Sequence, residues 1–303
     1  MHSGSTPTAD IAADATLVAR MIAEQHPDLA GPLRLVSDGW DNRIFRLGDD
    51  LAVRVPRREA AAHLIEHEQR VLAAIAERVA VPVPAPVRVG VPSVTFPWPW
   101  SIARWLEGVD GASVDASARA VIAEPLAGFL RAVHIPAPAD APVNPVRGVP
   151  LATRDIAVRE RLAMLAARPD TVASTDALLA VWEDALAAPL WTGPALWLHG
   201  DPHPGNLLLR TDASGTVEGL AAVIDFGDVT AGDPATDLAT AWLTFDAPAR
   251  AEFRETLDGS VDEATWRRAR GWAVIMGTAL AANSDDSPRM ASLGRHALAQ
   301  LTG

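Results

Sequence analysis

The chain has no cysteine and no tyrosine among its 303 residues, and all 26 of its basic side chains are arginine. Without cysteine there are no disulfides and no thiolate metal sites. Without lysine, any side-chain cation that must stay charged at every pH of interest is a guanidinium. No apolar stretch reaches the roughly 18 residues that a membrane span needs. The first residues also lack the basic-then-apolar order of a secretory leader, so a cytoplasmic protein is the expectation. Positive charge is in short supply: 38 acidic residues leave a formal net charge of −12. That balance argues against a nucleic-acid partner and is compatible either with a cationic small molecule or with plain solubility. What the chain does have is apolar content, 49% of its residues, enough for a sizeable core in a two-lobed unit or two domains.

Residues 14–26 place Leu17, Val18, Met21 and Ile22 at helical spacing and predict a short amphipathic helix. Leu33 to Ser37, Ile44 to Leu47 and Leu51 to Val55 read as short strands, the last ended by Pro56, which has no N–H for a ladder. Glu59 to Val79 is helical in composition, and Val87 to Val91 and Ser101 to Trp105 read as two further strands. The expectation is an α+β fold that opens with a five-stranded antiparallel sheet carrying one inserted helix. After Gly108 the pattern turns helical over Ala116 to Val133, with Pro125 placed to kink it. Further helices are expected at 154–167, 175–188, 234–245, 248–257, 262–282 and 288–301. Ile135 to Pro150 is proline-rich and reads as an extended surface crossing. A boundary at Arg104 to Gly108 divides an N-lobe, residues 1–105, from a larger, mostly helical C-lobe, residues 106–303.

The chemistry-bearing residues lie in the second part. His199-Gly200-Asp201-Pro202-His203-Pro204-Gly205-Asn206 has the form H-x-D-x-x-x-x-N. In phosphoryl transfer an Asp at this spacing takes the attacking hydroxyl's proton, and the Asn five residues on holds a metal. The apolar run Leu220 to Ile224 then delivers Asp225-Phe226-Gly227, a second carboxylate for a cation that bridges phosphate oxygens. A lone H-x-D is common by chance. This run is followed by a strand, a turn at Asp212 to Gly215, a second strand and D-F-G, which is far more specific. The plain structural alternative makes His199 and Asp201 hydrogen-bonded loop residues and Asp225 a turn cap.

HGDPHPGNLL together with VIDFGDVTAGDPATDLA resembles the aminoglycoside phosphotransferase family, relatives of choline kinase in the protein-kinase-like superfamily. The resemblance runs from about Pro32 to Ala282 and is strongest between His199 and Asp237. It implies a two-lobed, kinase-like fold with a nucleoside triphosphate, ATP or GTP, in the cleft. It also implies transfer of the γ-phosphoryl group to a hydroxyl of a small-molecule substrate, whose identity family membership does not supply. Gly232-Asp233-Pro234 arrives soon after Asp225, which leaves no room for the activation segment of a protein kinase.

On this resemblance Asp201 is the catalytic base, and Asn206 and Asp225 hold Mg²⁺ through hard oxygen donors. Arg54 stands in Ala52-Val53-Arg54-Val55 where the kinase pattern V-A-I-K has its Lys. The substitution keeps the charge and changes the geometry, because a guanidinium is a larger, planar fork. Its expected partner is Glu68, which falls in the middle of the stripe Leu64, Val71, Leu72, Ile75 and Val79, where an unpaired carboxylate is costly. Gly39, in the turn Ser37 to Asn42, is expected to cover the phosphates, although an ordinary hairpin turn would look the same. Backbone groups at Arg104 and Leu106 are expected to hydrogen-bond the purine. Trp98, Trp100 and Trp105 read as core. His199 reads as a structural hydrogen-bonder, and Asp233 and Asp237 as groups that fix the loop or cap the following helix. The sequence does not decide whether His203 borders the γ-phosphate or packs.

The acceptor is the least legible part. Asp155, Glu160, Asp246, Asp285 and Asp286 are candidate acids for a polycationic aminoglycoside, and Trp242, Phe245, Trp272 and Met276 are candidate apolar surface for a macrolide. Both sets also fit solvated helix faces and core. An antibiotic kinase is the expectation. The alternatives are a metabolite kinase acting on an amino alcohol or sugar, and a non-catalytic nucleotide-binding relative. The intact set Asp201, Asn206 and Asp225 counts against the last. Oligomeric state is not legible.

Overall fold

A computed structural model describes residues 8–168, 174–284 and 286–302. Helix α1 (Ala15–Gln25) starts where the Asp14 carboxylate accepts from the Leu17 N–H at 2.8 Å. Strands β1 (Leu33–Asp38), β2 (Asn42–Leu47), β3 (Leu51–Pro56), β4 (Pro86–Gly90) and β5 (Trp100–Arg104) form one antiparallel sheet in the order β1-β2-β3-β5-β4. Helix α2 (Glu59–Ala76) is inserted between β3 and β4. It ends at Ala76 rather than Val79 because the Arg78 N–H turns back to the Ile75 carbonyl and tightens the last turn. The expected sheet with one inserted helix is present.

Beyond β5 the chain is mostly helical: α3 (Ala123–Val133), α4 (Asp155–Ala166), α5 (Thr175–Leu186), α6 (Ala235–Leu238), α7 (Thr240–Thr244), α8 (Ala247–Thr256), α9 (Glu263–Asn283) and α10 (Pro288–Thr302). Short strands β6 (Val109–Asp110), β7 (Leu196–Leu198), β8 (Leu207–Thr211), β9 (Val217–Val223) and β10 (Thr230–Gly232) form two small sheets, β6-β8-β9 and β10-β7. The helix expected over 116–133 is instead a 3-10 turn, Ala116–Ile122, followed by α3. Pro125 lies in the first turn of α3, where its missing N–H forfeits no helical bond, so it sets a start rather than a kink. The helix expected over 234–245 is divided into α6 and α7 around Ala239. Among the described residues no helix is long and apolar enough to cross a membrane.

Two hydrophobic clusters fill the molecule. One joins α1 to the sheet through Val18, Met21, Phe45, Val53, Trp100 and Ile102. The larger gathers Phe129, Trp182, Phe226, Phe245, Phe253 and Trp272, and takes in Val71, Leu72 and Ile75 from α2. The second half of α2 is thus rooted in the helical part of the chain. Burying side chains of this size contributes about 1.5–3 kcal/mol each, which anchors the helix that carries Glu68 one turn earlier.

The proline-rich segment 135–150, expected to be an extended surface crossing, contains turns at Ala139–Asp140 and Pro145–Val146 and is stitched to the interior. The Trp197 N–H bonds Ile135 O, and the Thr230 hydroxyl donates to Pro142 O and accepts from the Asn144 N–H. Gly148, at φ 68°, meets Gly232 backbone to backbone: a Cβ on Gly232 would lie 2.3 Å from Gly148 O. Only two glycines permit that approach, and it carries Arg147 to the end of β7. Gly232→Ala is therefore expected to lower stability by about 1–3 kcal/mol through overpacking. Urea unfolding measures this, and an unchanged midpoint would show that the contact is not needed.

Candidate active site

Two loops converge. The one from His199 to Asn206 leaves β7 and enters β8, and the one from Ile224 to Gly227 follows β9. They are tied together because the Ile224 N–H donates to Asn206 O at 2.9 Å. That bond takes Ile224 out of the ladder, so β9 ends at Val223 rather than at the expected Ile224.

Asp237 anchors the first loop. Its side chain has no exposure; Oδ2 accepts from the His199 N–H and Oδ1 from the Gly200 N–H, both at 2.8 Å. His134 from the end of α3 adds a contact at 3.0 Å. Burial alone would push this carboxyl up, but the His134 hydrogen bond and charge, aided by the Gly200 N–H, hold it below the usual range. Gly200 has φ 92°, and a Cβ there would lie 2.3 Å from Asp228 O. His199 is structural, as expected: Nδ1 accepts from the Asp201 N–H, Nε2 faces Ile224 O at 3.0 Å, and its ring packs on Phe226. Asp233 caps α6 through the Ala235 N–H and pairs with Arg268 at 2.6 Å.

The predicted nucleotide residues meet at Arg54. Its Nη2 lies 3.1 Å from Glu68 Oε1, the expected partner, and 2.7 Å from Asp225 Oδ1. Two carboxylates compete for one guanidinium. Glu68, almost sealed, is pushed up to about 7 by burial; Arg54 offsets this in part, and the Asp225 charge adds to it. Asp225 has the stronger hold. Partial burial raises its carboxyl, yet the Arg54 charge and hydrogen bond carry it below the usual range. Asp225 is also the only non-glycine residue at positive φ, 62°, among the described residues. Its side chain is about half exposed. Asn206 donates its Nδ2 to Asp201 O at 2.9 Å, which commits the amide nitrogen and leaves Oδ1 without a hydrogen bond among the described residues.

Asp201 opens onto the other side. Arg147 reaches its Oδ1 at 3.3 Å and Asp228 Oδ2 at 3.1 Å. Asn144 holds the second oxygen of Asp228 at 2.8 Å. Burial raises the Asp228 carboxyl; Arg147 offsets part of this, and the neighbouring Asp201 charge adds to the rise. His203 accepts from the Gly205 N–H with Nδ1, so its Nε2 carries the hydrogen and faces Asp201 Oδ2 at 3.6 Å. Sequence reasoning missed Arg147, Asn144, Asp228 and His134. The one available signal was that Arg147 is the sole basic residue in the segment read as a crossing.

The remaining predicted residues are spread around these. Gly39 sits in the β1–β2 turn, its N–H on Asn42 O at 3.0 Å and its carbonyl taken by Arg57. Arg104 ends β5, and Arg46 lies over the Trp105 ring at 4.6 Å. The Leu106 N–H and carbonyl make no hydrogen bond among the described residues, as a backbone reader of a base requires. Trp98 and Trp100 pack in the sheet cluster. Of the acids expected near an acceptor, Asp155 is held by Trp182 and Arg159, and Asp246 caps α8. Glu160 is exposed and Asp286 lies in the turn before α10, while Asp285 falls outside the described residues. Trp242, Phe245, Trp272 and Met276 are buried core.

Comparison with known proteins bears on the family and the fold. The profile of the phosphotransferase enzyme family matches residues 32–272. The GDP complex of wild-type aminoglycoside 2'-phosphotransferase-IIIa is similar over 96% of this chain and 99% of that one, at 19% identity and a TM-score of 0.69. The apoenzyme of macrolide 2'-phosphotransferase MphH from Brachybacterium faecium covers 93% and 97%, at 23% identity and a TM-score of 0.61. The streptomycin-ATP-APH(2")-IIa ternary complex covers 88% and 90%, at 18% identity and a TM-score of 0.59. These likenesses establish a kinase-like fold. No curated protein matches the chain.

Asp237 gives a pH-dependent prediction. Its folded carboxyl lies below its unfolded value, so the stability it contributes is present above about pH 3.9 and is lost as pH falls through the folded value. Asp237→Asn is expected to lose about 1.5–3 kcal/mol at neutral pH. The gap to wild type should narrow as pH drops below 4. Unfolding curves from pH 3 to 7 check this, and a gap that stays constant with pH would assign the loss to packing alone.

Proposed function

The chain belongs to the phosphotransferase enzyme family, and from that premise we propose that it transfers the γ-phosphoryl group of ATP or GTP to a hydroxyl of a small molecule. The observation that carries this reading is the convergence of the open Asp201 carboxylate with the Asn206–Asp225 pair, held in register by the Ile224–Asn206 hydrogen bond. Asp201, one oxygen facing Arg147, orients the acceptor hydroxyl and takes its proton as the phosphoryl group departs from the nucleotide. His203 keeps its N–H toward the same carboxylate and steadies its charge. Arg54, held by Glu68, presents a guanidinium to the phosphates. Leu106 backbone groups read the base, and the Gly39 turn covers the phosphates.

A hard cation such as Mg²⁺ fits the donor chemistry of Asn206 and Asp225, one uncommitted amide oxygen and one ionised carboxylate. When bound, it offsets the charge on the phosphate oxygens. The division of labour follows the lobes, with residues 1–105 holding the nucleotide and 106–303 supplying Asp201 and the acceptor surface. Solved relatives hold GDP in one case and ATP in another, so both donors belong in the assay.

Antibiotics are the first acceptors to test, since aminoglycoside and macrolide phosphotransferases both share the fold. A second reading, a kinase for a small metabolite, is favoured by the engagement of Asp155 and Asp246 elsewhere, which removes them from any polycation site.

Asp201→Asn is expected to retain nucleotide affinity and lose turnover by about 10²–10⁴-fold, because the proposed metal ligands remain while the base is gone. Mass spectrometry of the phosphorylated acceptor, over a panel of aminoglycosides, macrolides and amino alcohols, reads the turnover. Normal turnover by this variant would refute the role assigned to Asp201. Asp225→Ala should instead abolish the Mg²⁺-dependent part of nucleotide binding in calorimetry.

A further inference from the structure

We infer that the acceptor carries an anionic group, such as a carboxylate, sulfate or phosphate, held by Arg154 and Arg161 beside Arg147. This inference rests on the phosphotransferase reading and specifies the substrate class of the same cleft.

Arg154 ends the 3-10 turn Leu151–Arg154 and leads straight into α4, which carries Arg161. Seven residues apart, the two share one helical stripe, with the fully buried Val158 between them. Arg159, off that stripe, behaves as surface arginines do and pairs with Asp155 and Glu183. The stripe arginines do not. Among the described residues no acceptor hydrogen-bonds either guanidinium, and Arg154 Nε, Arg161 Nε and Arg161 Nη2 are buried without a partner. Buried donors of this kind nearly always have an acceptor in folded proteins.

Their electrostatic surroundings are dominated by like charge. Burial, then the charges of Arg154 and Arg147, push Arg161 down to about 10, and the exposed Glu160 restores little of this. Arg154 is pushed down by burial and by Arg147. Arg147 itself is already committed to Asp201 and Asp228. Three guanidiniums therefore repel one another next to the proposed base, in a chain with 38 acidic residues and a net charge of −12. Among the described residues no acid forms an ion pair with Arg154 or Arg161, and Glu160 acts on Arg161 only weakly. An anion brought by the substrate meets that need, and forked guanidiniums bind carboxylate, sulfate and phosphate in bidentate fashion. A polycationic acceptor would meet repulsion at the same place. The donor's phosphates are the rival occupant, but their expected contacts, Arg54, Asn206 and Asp225, form a separate group.

Sulfate is the probe. At constant ionic strength and with saturating Mg²⁺ and a non-hydrolysable ATP analogue, sulfate should raise the Tm of the wild type in a saturable way. Arg154→Met/Arg161→Met should weaken that response by about tenfold or more, and Arg161→Lys should keep part of it because the charge remains. Retained affinity for the analogue shows that the double variant is folded. Absence of a saturable response, an equal response in the double variant, or a response abolished by the nucleotide analogue would each overturn the inference. Asp201-dependent phosphoryl transfer without a sulfate site would sink the inference alone. A sulfate site in a protein with no Asp201-dependent transfer would sink the phosphotransferase reading instead.

Discussion

One buried carboxylate holds the active-site loop in place. Asp237 has no exposure, and its two oxygens take successive backbone N–H groups, those of His199 and Gly200. A charge so enclosed is tolerable only when its lone pairs are filled by donors, and here His134 completes the set. The consequences spread outward. With His199 fixed, its ring bonds Ile224 O and packs on Phe226, which sets the second loop against the first. Asp201 and Asn206 then stand at defined distances from Asp225, and the short run between Asp225 and Asp237 becomes part of the same unit.

Arginine takes the place of lysine throughout this chain, and the geometry around Arg54 reflects that. Where an ammonium would act as a compact point charge, the Arg54 fork spans two carboxylates, Glu68 and Asp225. The pairing is unequal: Asp225 stays ionised below the usual range, while Glu68 is raised to about 7 by burial. Asp225 is also held at positive φ, a conformation costing of order 1–3 kcal/mol for a non-glycine residue. A half-exposed carboxylate that stays ionised is what the proposed cation site requires.

The two sides of Asp201 differ in electrostatic character. On the donor side Arg54 pairs with both Glu68 and Asp225. On the acceptor side Arg147 is paired, whereas Arg154 and Arg161 have buried N–H groups with no acceptor among the described residues. A cleft complementary to cations would show the opposite imbalance. The same fold is found in aminoglycoside and macrolide phosphotransferases, so the scaffold itself does not select the acceptor.

Local pattern was enough to read the five-stranded sheet with α2 inserted, because strand alternation, turn residues and helical stripes are properties of short windows. The Arg54–Glu68 pair was legible for the same reason: a carboxylate in an apolar stripe demands a cation, and few were offered. The H-x-D-x-x-x-x-N and D-F-G runs likewise carry their spacing in the chain. Tertiary structure decided the rest. Arg147, in a proline-rich stretch, reaches Asp201 only because Gly148 and Gly232 let two backbones meet. Arg54 is shared with Asp225 across a long sequence separation, and Trp242, Phe245, Trp272 and Met276 proved to be core. Nor could a sequence window tell a paired arginine from an unpaired one, since Arg159 and Arg161 look alike in the chain and differ only in what faces them. Periodicity and motif spacing are local and survive in one dimension; charge pairing depends on which distant side chains share a volume, and only the folded packing settles that.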